Sequence, residues 1–199
     1  GSSQNDLVKE KQLLYALQER MVDAVIVFSV SKDARIFQDF LNNGIPVIIV
    51  DRCVPGAKLD TVVNDDELSS YKLVKYLIDH GHSRIAVVKG RDDIAIGMER
   101  YQGYIRAMKE AKLPIVPDYQ IEGNFQREIA YKKTLQLFRT VPSSKLPTAF
   151  FASNTLMAEG VIQAVYEVGY EIPHHFSMVC FGVLSSSPVL RPRLVCVDQ

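Results

Sequence analysis

No stretch of this chain stays apolar for the roughly 20 residues that a membrane-spanning helix needs, and no charged-then-apolar leader opens it. The expectation is a cytoplasmic protein with no membrane partner. Net charge is lacking too: 23 Lys+Arg balance 23 Asp+Glu, giving +0. A surface that holds nucleic acid neutralises phosphates with clustered Lys and Arg, so any DNA contact is expected from a segment other than this one. Cysteine is scarce. Cys53, Cys180 and Cys196 are widely separated and form no CxxC pair, which excludes a disulfide framework and points to reduced, buried or half-buried thiols. The four histidines do not converge by spacing: His80 and His82 flank Gly81, and His174 and His175 precede a distant strand. No metal or other cofactor is expected. There is no nucleophile elbow, no P-loop and no GxGxxG, and the Ser-Asn-Thr and Ser-Ser-Ser sequences have no general base nearby. No catalytic residue and no enzyme are expected.

What is present is regular. With 199 residues and 47% hydrophobic content, the chain can bury an ordinary core. Asp6 is a fair cap for a helix through Met21, where Leu7, Leu14, Leu17 and Met21 recur at helical spacing. The unbroken apolar run from Ala24 to Phe28 predicts a strand covered on both faces. A helix over Lys32 to Asn43 stops at Gly44, and a strand follows at Val47 to Val50. Asn64 or Asp65 caps a helix with an apolar stripe of Leu68, Tyr71, Val74, Leu77 and Ile78. The second half repeats the scheme, with strands at Ile85 to Val88, Tyr119 to Ile121, Ala149 to Ala152 and Met178 to Phe181. Helices lie between them, and Leu194 to Val197 ends the pattern. Short-looped β-α alternation requires helical crossovers, hence an α/β fold with largely parallel sheets flanked by helices. Two lobes are expected, at 1–83 and 84–199, joined near Gly81 to Arg84.

Several segments together carry a resemblance. GHSRIAVVKG is followed by ERYQGYIRAMKEAKL, IEGNF, PTAFFASNTLMAEGVIQAVYEVGYEIP, FSMVCFG and LRPRLVCVDQ. Before them stand VDAVIVFS, GIPVIIVDR and VVNDDELSSYKLVKYLIDHGH. In this order and spacing the set resembles the effector-binding core of lactose/galactose-repressor-type transcriptional regulators, a two-lobed periplasmic-binding-protein-like fold. The resemblance implies a bacterial regulator core that binds a small polar ligand, a sugar or related metabolite, between its lobes. DNA is then held by a helix-turn-helix segment outside this chain. It also implies two further strands before this stretch, without which the sheet edge beside Ala24 to Phe28 stands open. The other expectation is a periplasmic sugar-binding protein of a transport system.

Arg100 is the leading ligand-binding candidate. A cation near a helix N-terminus opposes the helix dipole unless something negative or polar compensates, and the resemblance places an arginine here against effector hydroxyls or carboxylate. The plain reading is a surface arginine paired with Glu99 or Asp93. Asn154 is a helix cap and, by the resemblance, a ligand contact. Phe125 is either a loop anchor or an aromatic face for a ring. Ser29 and Ser31, past the first strand, and Arg52, past the second, complete the ligand-binding candidates, although Ser31 is also a plausible cap and Arg52 also suits Asp51. The family commonly has an Asp where Gly182 stands here, and Ile94 and Ile96 replace positions that are often polar. Without that carboxylate a polyol is paired less well, so the usual free sugar is in question. The resemblance further implies a homodimer through Glu159, Ile162, Gln163, Tyr166, Leu190 and Arg191, with Ile162 alternatively in the core.

Overall fold

The computed structural model describes residues 1–3, 6–31, 33–51, 53–56, 58–183 and 194–197. The chain forms two compact units, Gly1–Asn64 and Asp65–Gln199. The boundary therefore falls between Asn64 and Asp65, not at Gly81 to Arg84. The reason is the apolar stripe of the helix Asp66–Asp79, α3. Its Leu73, Val74 and Leu77 pack with Ile85, Tyr104, Met108 and Phe151 of the second unit.

In the first unit, α1 (Leu7–Glu19) starts at Asp6, whose carboxylate accepts from the backbone NH of Val8 and Lys9. The expected helix over Lys32 to Asn43 is a 3-10 turn, Ala34–Phe37, continued by the short α2, Gln38–Asn42. Strands β1 (Val25–Val27), β2 (Val47–Val50) and β3 (Asp60–Val62) form a parallel sheet in the order β1-β2-β3. Phe37, Phe40, Val47, Ile49 and Leu14 make its core. β1 is covered on one face only. Val25 is 3% exposed, whereas Ile26 is 68% exposed. The period of two therefore turns Ile26 away from the core, and the expectation of a strand covered on both faces is corrected. Ile26 and Phe28 instead line a groove of about 650 Å³ together with Leu13, Leu14 and Leu17 of α1.

The second unit realises the alternating pattern in full. β4 (Ile85–Lys89), β5 (Gln120–Glu122), β6 (Ala149–Ala152), β7 (Ser177–Phe181) and β8 (Val195–Val197) run parallel in the order β5-β4-β6-β7-β8. Every residue of β4 is buried, because alternate side chains enter two separate cores. Ile85 and Val87 meet α3 and α4 (Ala95–Glu110) on one face. Ala86 and Val88 meet α5 (Arg127–Thr140) and α6 (Thr155–Glu167) on the other. Both helix pairs are held at close approach by a glycine. A Cβ on Gly103 of α4 would strike the Glu67 carbonyl of α3, and one on Gly160 of α6 would strike the Arg127 carbonyl of α5. No helix among the described residues is long and apolar enough to cross a membrane.

Candidate functional site

From β4 the chain crosses to β5 on one side; from β6 it crosses to β7 on the other. The connections thus diverge between β4 and β6, and a crevice at such a switch point, outside the carboxyl ends of the strands, is where open α/β sheets hold ligands. The loop after β4 and the first turns of α4 and α6 form this corner. Gly97 is what lets the loop fold back, since a Cβ there would collide with the Arg91 carbonyl.

Arg100 lies in this corner and is 5% exposed. Its Nε donates to Asp66 Oδ1 at 2.6 Å and its Nη1 to the Ser153 carbonyl at 2.7 Å. The guanidinium carbon stands 3.6 Å from the centre of the Phe181 ring, so the cation is clamped by a carboxylate, a carbonyl and an aromatic face. The partner is neither Glu99 nor Asp93. Asp93 is bound by Arg91 at 2.6 Å, while Asp66, 2% exposed, is the first residue of α3. Burial and the neighbouring Asp66 charge push the Glu99 carboxyl above its ordinary range, against the pull of Arg100.

The other candidates of the second unit gather nearby. Asn154 caps α6 by accepting from the Met157 NH at 2.8 Å, and Ser153 beside it donates from Oγ to the Val88 carbonyl at 2.9 Å. Phe125 has φ +60°, a left-handed conformation shared with Asn124 at +53°, and its ring fills the place that a Cβ on Gly90 would take. Gly182 has φ +91° and donates its NH to the Val197 carbonyl at 3.0 Å. A left-handed backbone of this kind favours glycine over the aspartate common in the family. Ile96 is buried and Ile94 half-buried, the latter capping α4 without a side-chain hydrogen bond.

Sequence reasoning overlooked two charged residues here. Asp66 was hidden in a helix-capping stretch. Lys89, 9% exposed, ends β4 one residue beyond the expected strand Ile85 to Val88. Its Nζ reaches Asp92 at 2.8 Å and Glu122 at 3.6 Å and lies 5.2 Å from the Tyr101 ring centre. Burial opposes its charge, but the hydrogen bond to Asp92 and the charges of Asp92 and Glu122 outweigh that, leaving the amine above its ordinary range.

The first-unit candidates are committed locally. Ser29, fully buried, donates to Glu10 Oε1 at 2.5 Å, and Glu10 Oε2 accepts from the Val30 NH at 2.7 Å. Ser31 ties its own loop through Asp33. Arg52, Leu190 and Arg191 lie outside the described residues. On α6, Ile162 is 3% exposed and belongs to the core, so its place on a dimer surface is corrected: the helix turns it toward the sheet. Gln163 and Tyr166 are exposed and Glu159 half-buried.

Cys180 and Cys196 face each other in register on β7 and β8. The hydrogen bond to Cys196 and then burial push the Cys180 thiol far up. Cys53 is exposed, not buried or half-buried as expected. His80 and His82 turn to different partners, the Tyr76 carbonyl and the Thr148 hydroxyl.

Comparison with known proteins agrees with this architecture. Residues 74–199 match the Periplasmic binding protein-like domain. An HTH-type transcriptional repressor PurR from Pasteurella multocida is 31% identical over 203 residues, which span 100% of this chain and 59% of the repressor. Its namesake from Histophilus somni is 32% identical over the same shares. The chain thus spans about three-fifths of the length of the curated relatives it matches. Among solved structures, a regulatory protein of LacI family from Chloroflexus aggregans has a TM-score of 0.84 at 28% identity, covering 100% of this chain and 70% of that one. The transcription regulator CcpA of Lactococcus lactis has a TM-score of 0.80 at 26% identity, with 100% and 72% covered. The chain belongs to the periplasmic-binding-protein-like domain family and is similar, within that fold, to regulatory proteins of the LacI family.

Proposed function

We propose that this chain is the effector-sensing and dimerising core of a bacterial, cytoplasmic transcriptional regulator. It takes a small polar metabolite, a sugar or a related compound, at the corner between β4 and β6. What supports this reading is that Arg100 holds the Ser153 carbonyl, next to Asn154 in the chain, at the switch point of the second unit's sheet, and that Phe125 packs over Gly90 directly after β4. The relatives' names, all transcriptional repressors, favour a regulator over a transport protein or an enzyme. Ser29, Ser31 and Arg52 belong to the proposal in a lesser role, since the hydroxyl of Ser29 is already donated to Glu10. A homodimer through the exposed face of α6, with Glu159, Gln163 and Tyr166 joined by Leu190 and Arg191, is part of it. So is DNA binding by a helix-turn-helix segment outside this chain.

An effector changes the DNA affinity of such a protein only by as much as it prefers one arrangement of the protein to the other. The test is a gel-shift titration of operator DNA with a regulator of the relatives' length that carries this chain. A compound that stabilises the chain should change the retention of that DNA. A stabilising compound that leaves retention untouched contradicts the proposal.

A further inference from the structure

Asp66 is the feature of the corner that the proposed function does not absorb. It is 2% exposed, it sits at the first position of α3, and its Oδ1 is 2.6 Å from Arg100 Nε. A carboxylate taken out of water is stable only when paired, and the pair here is close and hydrogen-bonded. The consequence concerns charge. An arginine at a ligand corner is ordinarily a reason to expect an anion, because its planar fork suits carboxylate and phosphate. In this chain the counterion is built in. Glu99, beside Arg100 in the chain, brings no further cation: burial first and then the Asp66 charge push its carboxyl above the ordinary range, against the pull of Arg100. Lys89, the other buried cation of the corner, already has Asp92 and Glu122.

We propose that Asp66 is the specificity-determining residue of the corner. By neutralising Arg100 it restricts the effector to neutral molecules that offer hydrogen-bond acceptors, and it turns away carboxylates and phosphate esters. This rests on the reading of the corner as the effector site. Asp66 acts through Arg100 and is a positioning residue, not a ligand contact.

The experiment follows thermal unfolding of the full 199-residue chain while sulfate replaces chloride at constant ionic strength. Wild type should show no saturable gain in melting temperature. Asp66→Asn leaves Arg100 without its counterion, and sulfate should then raise the melting temperature saturably, as any ligand of the native state does. Asp66→Asn combined with Arg100→Gln should lose that response, which a merely structural role of Asp66 would not produce. A saturable sulfate response in wild type that Arg100→Gln abolishes overturns the proposal, and so does an Asp66→Asn protein that folds without gaining one. Should Asp66→Asn not fold, the comparison of wild type with Arg100→Gln still decides. A matched pair of screening compounds adds a second reading, in which Asp66→Asn moves preference from the neutral compound toward its phosphate ester by about tenfold or more. An effector whose binding ignores Arg100 altogether would remove the site reading and leave the sulfate result standing.

Discussion

The ring of Phe125 occupies the space in which Gly90 would carry a side chain. One residue directly follows β4 and the other stands in a left-handed turn 35 positions later, so the absence of a Cβ at Gly90 sets where the aromatic face lies. Gly90→Ala forces the ring or the backbone aside, and overpacking of this kind costs about 1–3 kcal/mol. Denaturant unfolding should show that loss, together with weaker binding of any ring-bearing effector.

Arg100 and Asp66 should prove strongly non-additive. Arg100→Met alone strands a buried carboxylate, and breaking a buried pair in this way costs about 3–5 kcal/mol. The double change Asp66→Asn/Arg100→Met should cost clearly less than the sum of the two single changes. A double-mutant cycle by urea unfolding measures the difference; additive values would mean that the pair contributes little.

In the first unit, Glu10 holds the loop after β1 through Ser29 and the Val30 NH. Glu10→Ala leaves the buried Ser29 hydroxyl and the half-buried Val30 NH without that acceptor, at about 1–3 kcal/mol for the buried donor and less for the other. Hydrogen exchange at the Val30 amide should accelerate, and Glu10→Gln, which retains one oxygen, should lie between the two.

How far these relationships are legible in the sequence differs by kind. The α3 stripe is legible through Val74 and Leu77, and α6 through its cap Asn154, because these are local patterns, although the stripe as read omits the buried Leu73. The buried β4 is legible for the same reason. The pairing of Asp66 with Arg100 spans 34 residues, and nothing local distinguishes a capping-region aspartate from one that closes over a distant arginine. Ile26 shows the opposite difficulty: a short apolar run is the same string whether one face of its strand is covered or two. Ile162 shows that a family-based surface assignment yields to the helix's own rotation against the sheet.

His82 gives a pH dependence. Its Nδ1 is 2.9 Å from Thr148 Oγ1, and burial, then the neighbouring His80, lower its affinity for a proton below the ordinary value of 6.5. The unfolded chain therefore binds a proton more readily than the folded one. This contribution to stability is complete well above pH 6.5 and declines as pH falls through that value toward the lowered one. His82→Gln should flatten the decline in melting temperature across that interval; an unchanged slope assigns it to other groups.

The most direct test of the central claim is a thermal-shift screen of sugars, sugar phosphates, nucleobases and amino acids, followed by affinity measurement of the stabilising compound on wild type, Arg100→Lys and Phe125→Leu. Arg100→Lys keeps the charge opposite Asp66 but removes the planar fork. The account predicts that binding weakens about tenfold or more in both variants. A compound that binds all three proteins with equal affinity would contradict the assignment of the effector site to the corner between β4 and β6.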